Sequence, residues 1–353
     1  CDYISDRQLA QVKVDGGQLV TPGGTRYRGI IIPTGTTVDD RLQSLLQNLT
    51  PYIIYGEDRQ AMAHLAKPEP WRMNPGVRMI RRKTDDGYIY FVVNLSPRDC
   101  RLNAACLSVP TQHIVCYNPM TGDVNRLPMV ADAPVVCLQS GESIILQTGT
   151  AADRPLSTGQ YGMTLATETL PLDGPWTLSF LDETPRVSET YTMPTPQTWE
   201  TLGEFASVTM GTGVYETAFK LTINSLAKNS KGKTKVVTKA PSEVSDRWAI
   251  DLGDVRESAR VYINNVYVGC AWAVPYVLTF DASVLKSGEN TIRVEVTNLP
   301  ANRIADLDRR GVKWRKFDEI NVVDINYKKT KYDGWTPVPS GLNSSVSIYA
   351  VKE

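Results

Sequence analysis

The 353 residues carry 38 lysines and arginines against 38 aspartates and glutamates, a balance that gives no electrostatic ground for a nucleic acid or an anionic membrane as partner. No run of about eighteen apolar residues occurs, so no membrane-spanning segment is expected, and the length suits two or three ordinary domains. The six cysteines (Cys1, Cys100, Cys106, Cys116, Cys137 and Cys270) follow no CxxC spacing, which argues against zinc and thioredoxin-like chemistry.

The chain opens on "CDYISDRQL", which lacks the pattern of an intact signal peptide. Cys1 admits two readings: an ordinary core position at the edge of a fragment, or the lipid-bearing first residue of a bacterial lipoprotein. Residues 27–56 read as one βαβ unit. "YRGIIIP" is a continuous apolar run suited to a strand buried on both faces. Leu42, Leu45, Leu46 and Leu49 recur at helical spacing, with Thr37 and Asp40 placed as a capping box. "PYIIYGED" restarts a strand. One crossover cannot cover its own apolar faces, so residues 1–65 are expected to be a partial α/β unit that docks on another domain or continues from strands upstream.

From about Ile80 the period changes to that of strands. "DGYIYFVVNLS", "QHIVCYNPMTGDVNRL", "APVVCLQ" and "ESIILQTG" are short β segments separated by Asp-Gly, Pro and Gly turns. They predict a small antiparallel β-sandwich over residues 66–165, with Cys116 and Cys137 as buried free thiols. Residues 149–173, rich in Thr, Ala, Gly and Pro, read as a linker or exposed connection.

Residues 172–353 are again all-β. "GVYETAFKLTI", "DRWAIDLGD", "SARVYIN", "VYVGCA", "PYVLTF" and "NTIRVEVTN" give six strands. In the last, Ile292, Val294 and Val296 alternate with Arg293, Glu295 and Thr297, the period of a half-buried strand. Asn264-Asn265 supplies a tight hairpin, because asparagine tolerates positive φ. Residues 225–245 hold five lysines without interleaved aromatics, the composition of a solvated loop rather than a nucleic-acid patch.

These residues carry a family resemblance. "WAIDLGDVRESARVYINNVYVG" followed by "PYVLTFDASVLKSGENTIRVEVTN" resembles the sugar-binding jelly roll of glycoside hydrolase family 2 and its relatives. "GTGVYETAF", "VTNLPANRIADLDRRG" and "PSGLNSSVSIYA" resemble the C-terminal region of glycoside hydrolase family 106, the α-L-rhamnosidases, and "GGTRYRGIIIP" and "RKTDDGYIYFVVNLS" resemble the segments before that jelly roll. The resemblance covers essentially the whole chain in order. It implies a mainly β fold: a partial α/β unit and two β-sandwiches, the last galactose-binding-like. It implies an accessory, non-catalytic region of a bacterial, extracytoplasmic glycoside hydrolase (periplasmic or at the cell surface) that supports a catalytic (β/α)8 barrel. A barrel needs about 200 residues or more, only about the first 60 residues here have α/β character, and the family's catalytic glutamates have no matching positions. A glycan-binding surface lipoprotein and a pure scaffold are the rival readings.

Candidate chemistry follows the residue types. Glycoside hydrolysis needs two carboxylates roughly 5–10 Å apart; "YGED" (Glu57-Asp58), "DETP" and "FDE" are the local pairs, and acidic residues after a strand are more often turn residues. Two histidines, His64 and His113, are too few for a His-rich metal site, no GxSxG elbow occurs, and no DxDxDG loop signals calcium. No cofactor or metal is expected. Sugar binding calls for aromatic faces with polar neighbours. Trp272, Tyr276, Trp314 and Trp335 are the loop or strand-end aromatics, with Trp272 and Tyr276 expected to emerge together from "CAWAVPY". Arg303 and Asp306 in "ANRIADLD" either form an ion pair or reach a sugar. Trp176 and Trp248 read as core.

Overall fold

The computed structural model describes residues 2–103, 107–109, 111, 113–128, 136–149, 156–158, 161–162, 165–221, 246–316, 326 and 328–352. The chain divides into two compact units: residues 1–96, 100–136 and 143–161 form the first, and 97–99, 137–142 and 162–353 the second. It is mainly β, and no helix among the described residues is long and apolar enough to cross a membrane. Cys1, Cys106 and the lysine-rich stretch 225–245 lie outside the described residues.

The first unit contains the expected crossover. Ile30–Ile32 and Ile53–Tyr55 pair in parallel, joined by the helix Asp40–Gln47. Leu46 and Leu49 bury with Leu9 and Leu19, and Leu42 packs against them. The cap differs from the expected Thr37–Asp40 box. Asp39 is the N-cap and accepts from the Leu42 backbone N–H at 2.7 Å, because only an oxygen just before the first helical residue reaches that orphan donor. Nor is the first strand buried on both faces. Ile31 is exposed, since a single helix on a two-stranded sheet covers one face only.

An antiparallel sheet follows in the order Val124–Leu127, Ile114–Tyr117, Ser143–Gln147, Tyr88–Asn94 and Val77–Lys83. Its first strand in the chain starts at Val77, a few residues before the change of period at Ile80. Tyr90, Val92, Ile144 and Leu146 are fully buried on one face, while Ile80 and Phe91, paired in register, are exposed on the other. Cys116 is buried and Cys137 half-buried, both as thiols.

The second unit is a two-sheet sandwich. One sheet runs Leu165–Pro171, Ser347–Lys352, Arg247–Asp251, Val277–Asp281; the other runs Tyr191–Met193, Trp176–Thr184, Met210–Leu221, Gly288–Thr297, Ser258–Ile263, Val266–Ala271, and every pairing is antiparallel. Part of the expected linker is therefore a strand: Leu165–Pro171 pairs with Ser347–Lys352, and its Thr-rich composition suits a pleated edge. The two inner faces share one core. Ile250, Ile348 and Phe280 come from the first sheet, and Leu178, Tyr215, Val261, Ile292 and Val294 from the second. Trp176 is buried in it, and Trp248 packs against it half-buried. Asn264 and Asn265 have φ of 49° and 65°, the paired positive values of the tight turn that matches strand twist. Asn264 fixes the turn by donating to the Val284 carbonyl and to Asn290 Oδ1, both at 2.8 Å.

Candidate functional site

The structure separates the aromatic pair expected at "CAWAVPY". Trp272, just past the strand Val266–Ala271, is 58% exposed, whereas Tyr276 is 9% exposed and belongs to the core. The physical reason is that Tyr276 already lies against the next strand: its carbonyl accepts from the Leu252 N–H at 3.0 Å, extending the Arg247–Asp251 pairing by one rung. Burial pushes its phenol pKa up, with the charge of Glu257 adding to the effect.

Arg303 and Asp306 meet each other rather than open space. They lie on the helix Ala301–Arg309, where three residues bring side chains to one face. Arg303 Nη1 donates to Asp306 Oδ2 at 2.9 Å, and Arg310 Nε donates to Asp306 Oδ1 at 2.8 Å. Asp306 is buried with both oxygens occupied, so it pins the end of the helix.

Asn302, on the same helix, was not singled out by its sequence. It is buried, and its side-chain amide pairs with the Val338 backbone at both points: Nδ2 donates to the carbonyl at 2.8 Å and Oδ1 accepts from the N–H at 2.9 Å. The amide acts as one rung of a backbone ladder. Nδ2 also donates to Glu200 Oε1 at 3.0 Å, and Glu200 Oε2 accepts from the Ser340 N–H at 3.3 Å. Burial pushes the Glu200 pKa up, against the lowering effect of these bonds.

Glu200 owes its position to Trp199. That indole is fully buried and donates to Tyr215 Oη at 2.7 Å; the same oxygen accepts from the Leu342 N–H at 3.1 Å. Gly341 crosses directly over this pair at φ +94°, where a Cβ would collide with Trp199 Nε1 and Tyr215 Oη. A core-plugging tryptophan thus turns the next residue outward.

The remaining aromatics converge. Asp308 Oδ1 accepts from Trp314 Nε1 at 2.6 Å and Oδ2 from the Tyr332 N–H at 2.8 Å, tying two separate segments to the helix. These bonds lower the Asp308 pKa, the Trp314 bond most. The Arg315 guanidinium carbon lies 5.2 Å from the Trp314 ring centre and 5.0 Å from that of Tyr332. Tyr332 meets Trp335 edge to face at 4.6 Å. Trp335 is thereby braced while remaining 46% exposed.

Between Trp335 and the helix lies a cleft of about 240 Å³, lined by Glu200, Ser207, Asn302, Ala305, Arg309 and Trp335, with Val208 and Pro337 completing it. An aromatic wall facing a few fixed polar groups is the composition of a sugar site. Of the sequence-derived candidates, only Trp335 reaches it; Trp314 supports from behind, and Trp272, Tyr276, Arg303 and Asp306 do not line it. Among the local acidic pairs, Asp58 caps the helix Arg59–Leu65 through bonds from the Gln60 and Ala61 N–H groups, and "FDE" lies outside the described residues.

No family model matches the chain. A putative β-glucuronidase of Formosa agariphila is 30% identical over 137 residues, which cover 34% of this chain and 12% of that protein. A solved rhamnosidase from Novosphingobium sp. PP1Y aligns over 98% of this chain and 36% of its own, at TM-score 0.52 and 19% identity. A β-glucuronidase from Bifidobacterium dentium, solved with coumarin-3-O-glucuronide, aligns over 53% of this chain and 30% of its own, at TM-score 0.34 and 18% identity. The chain thus spans well under two thirds of the length of each. Its likeness in fold to the solved rhamnosidase runs through both units.

Proposed function

We propose that this chain is the accessory β-sandwich region of an α-L-rhamnosidase-like glycoside hydrolase acting on complex polysaccharide, and that it contacts carbohydrate through the Trp335 cleft. The observation that carries the contact is the braced, half-exposed indole that lines the cleft together with Glu200. Glu200 keeps lone pairs beyond those used by Asn302 and Ser340, and a carboxylate oxygen accepts two bonds, so sugar hydroxyls donate to it while the ring's C–H face lies on Trp335. Supporting a barrel elsewhere in the protein is the complementary role, and the continuous fold likeness to the solved rhamnosidase supports it.

One stacked ring and a few hydrogen bonds give weak binding; millimolar affinity corresponds to about −4 kcal/mol. Titration of the purified chain with a neutral rhamnose-containing oligosaccharide, followed by NMR at the tryptophan indoles, tests the reading. The Trp335 indole signal is expected to shift in the millimolar range and the Trp272 signal to stay in place. Trp335→Ala should weaken the binding with the fold intact. An unmoved Trp335 signal at saturating oligosaccharide would overturn the contact.

A further inference from the structure

The cleft has a direction. Asn302, Ala305 and Arg309 lie three and four residues apart on one helix, so they form a single row along one wall. From Asn302 to Arg309 the row runs about 10 Å along the axis. The first end is acidic in composition and offers only acceptors: Asn302 spends both its N–H donors on Val338 and Glu200, and Glu200, engaged by Asn302 and Ser340, keeps lone pairs for hydroxyl donors alone. Ala305, in the middle, leaves room. At the far end stands Arg309. Its neighbours Arg303 and Arg310 are both tied to Asp306, whereas the Arg309 side chain has no ion pair or hydrogen bond among the described residues.

An exposed guanidinium with five donors and no partner among the described residues, at the rim of an aromatic-walled cleft, is fitted to a planar anion that it grips with two parallel bonds. We propose that the cleft takes an acidic sugar, the pyranose ring lying against Trp335 and its carboxylate on Arg309. This rests on the reading of the cleft as a carbohydrate site and names the class of sugar. The arrangement also excludes the reversed orientation, which would set the ligand carboxylate beside Glu200.

A galacturonic acid disaccharide and its methyl ester separate the two levels of the claim, because they share a skeleton and differ in charge. Calorimetry at low salt with the full chain should show the acid binding roughly fivefold to tenfold more tightly than the ester, the worth of a charge-assisted hydrogen bond at a partly exposed site. Arg309→Gln should bring the acid down to the level of the ester, Arg309→Lys should retain part of the preference, and added salt should narrow it. Trp335→Ala should weaken both ligands alike. Equal affinities for acid and ester in the unaltered chain, or a preference that survives Arg309→Gln, would overturn the acidic-sugar assignment while leaving the carbohydrate site standing. Binding of neither ligand would remove both.

Discussion

Tyr276 and Trp272 show how much four residues of sequence can conceal. Both are aromatics in one short connection, yet one is core and the other is solvent-facing. Tyr276→Ala should cost about 3–5 kcal/mol, as large-to-small changes at buried aromatics do, whereas Trp272→Ala should stay within about 0.5 kcal/mol; urea unfolding curves measure both. The alternation rule located the strands on either side but could not fix the phase across the turn, because the last rung at Tyr276 is set by a backbone bond to Leu252. Glu200 gives a second test at this scale. Its folded pKa is raised by burial, so the folded chain holds the proton more tightly than the unfolded one. Its contribution is fully present below the ordinary value of 4.5 and is lost as pH rises through the raised folded value. Stability should therefore fall with pH over that window, and in Glu200→Gln this decline should be absent; an unchanged profile would show that Glu200 does not titrate there.

At the scale of elements, the helix Ala301–Arg309 is held by side chains that no periodicity rule selects. "ANRIADLD" advertises its charges, and of the two readings of Arg303 and Asp306 the structure shows the ion pair. The residue that fastens the helix to its neighbour is nevertheless Asn302, through two bonds to Val338 and one to Glu200. Such a long-range amide clip is invisible in one sequence, since its partners lie 36 and 102 positions away. Asn302→Ala leaves the Val338 groups and Glu200 each short of a partner. It should destabilise by about 1–3 kcal/mol and deprotect the Val338 amide in hydrogen exchange. By contrast the Asn264-Asn265 hairpin was fully legible, because positive φ at both positions is a local demand that asparagine meets. Asn265→Gly, which meets the same demand without a Cβ, should be neutral or stabilising by up to about 1 kcal/mol, while Asn265→Val should be clearly destabilising in the same assay.

At the scale of the molecule, the mainly β character and the run of strands could be read directly, because period-two alternation is a property of neighbours in sequence. Closure of the second unit could not. Its four-stranded sheet begins at Leu165–Pro171 and takes as next strand Ser347–Lys352, the last in the chain, which also pairs with Arg247–Asp251. A Thr-rich segment that looked like a connection is thus one side of a seam made by residues some 180 positions apart. Contacts of such separation carry loop-closure entropy that must be met before they form, so the unit should fold slowly for its size, in milliseconds to seconds. The seam also makes the terminal strand indispensable. Ile348 is fully buried in the shared core, and Ser347–Lys352 sits between two partners, so its loss would expose the edges of both at once. Deleting residues 347–353 should therefore abolish cooperative unfolding of the second unit and leave it with exposed apolar surface that binds a hydrophobic dye. A truncated chain that still melts in a single sharp transition for that unit would show that the core of Val261, Ile292 and Val294 closes without its seam.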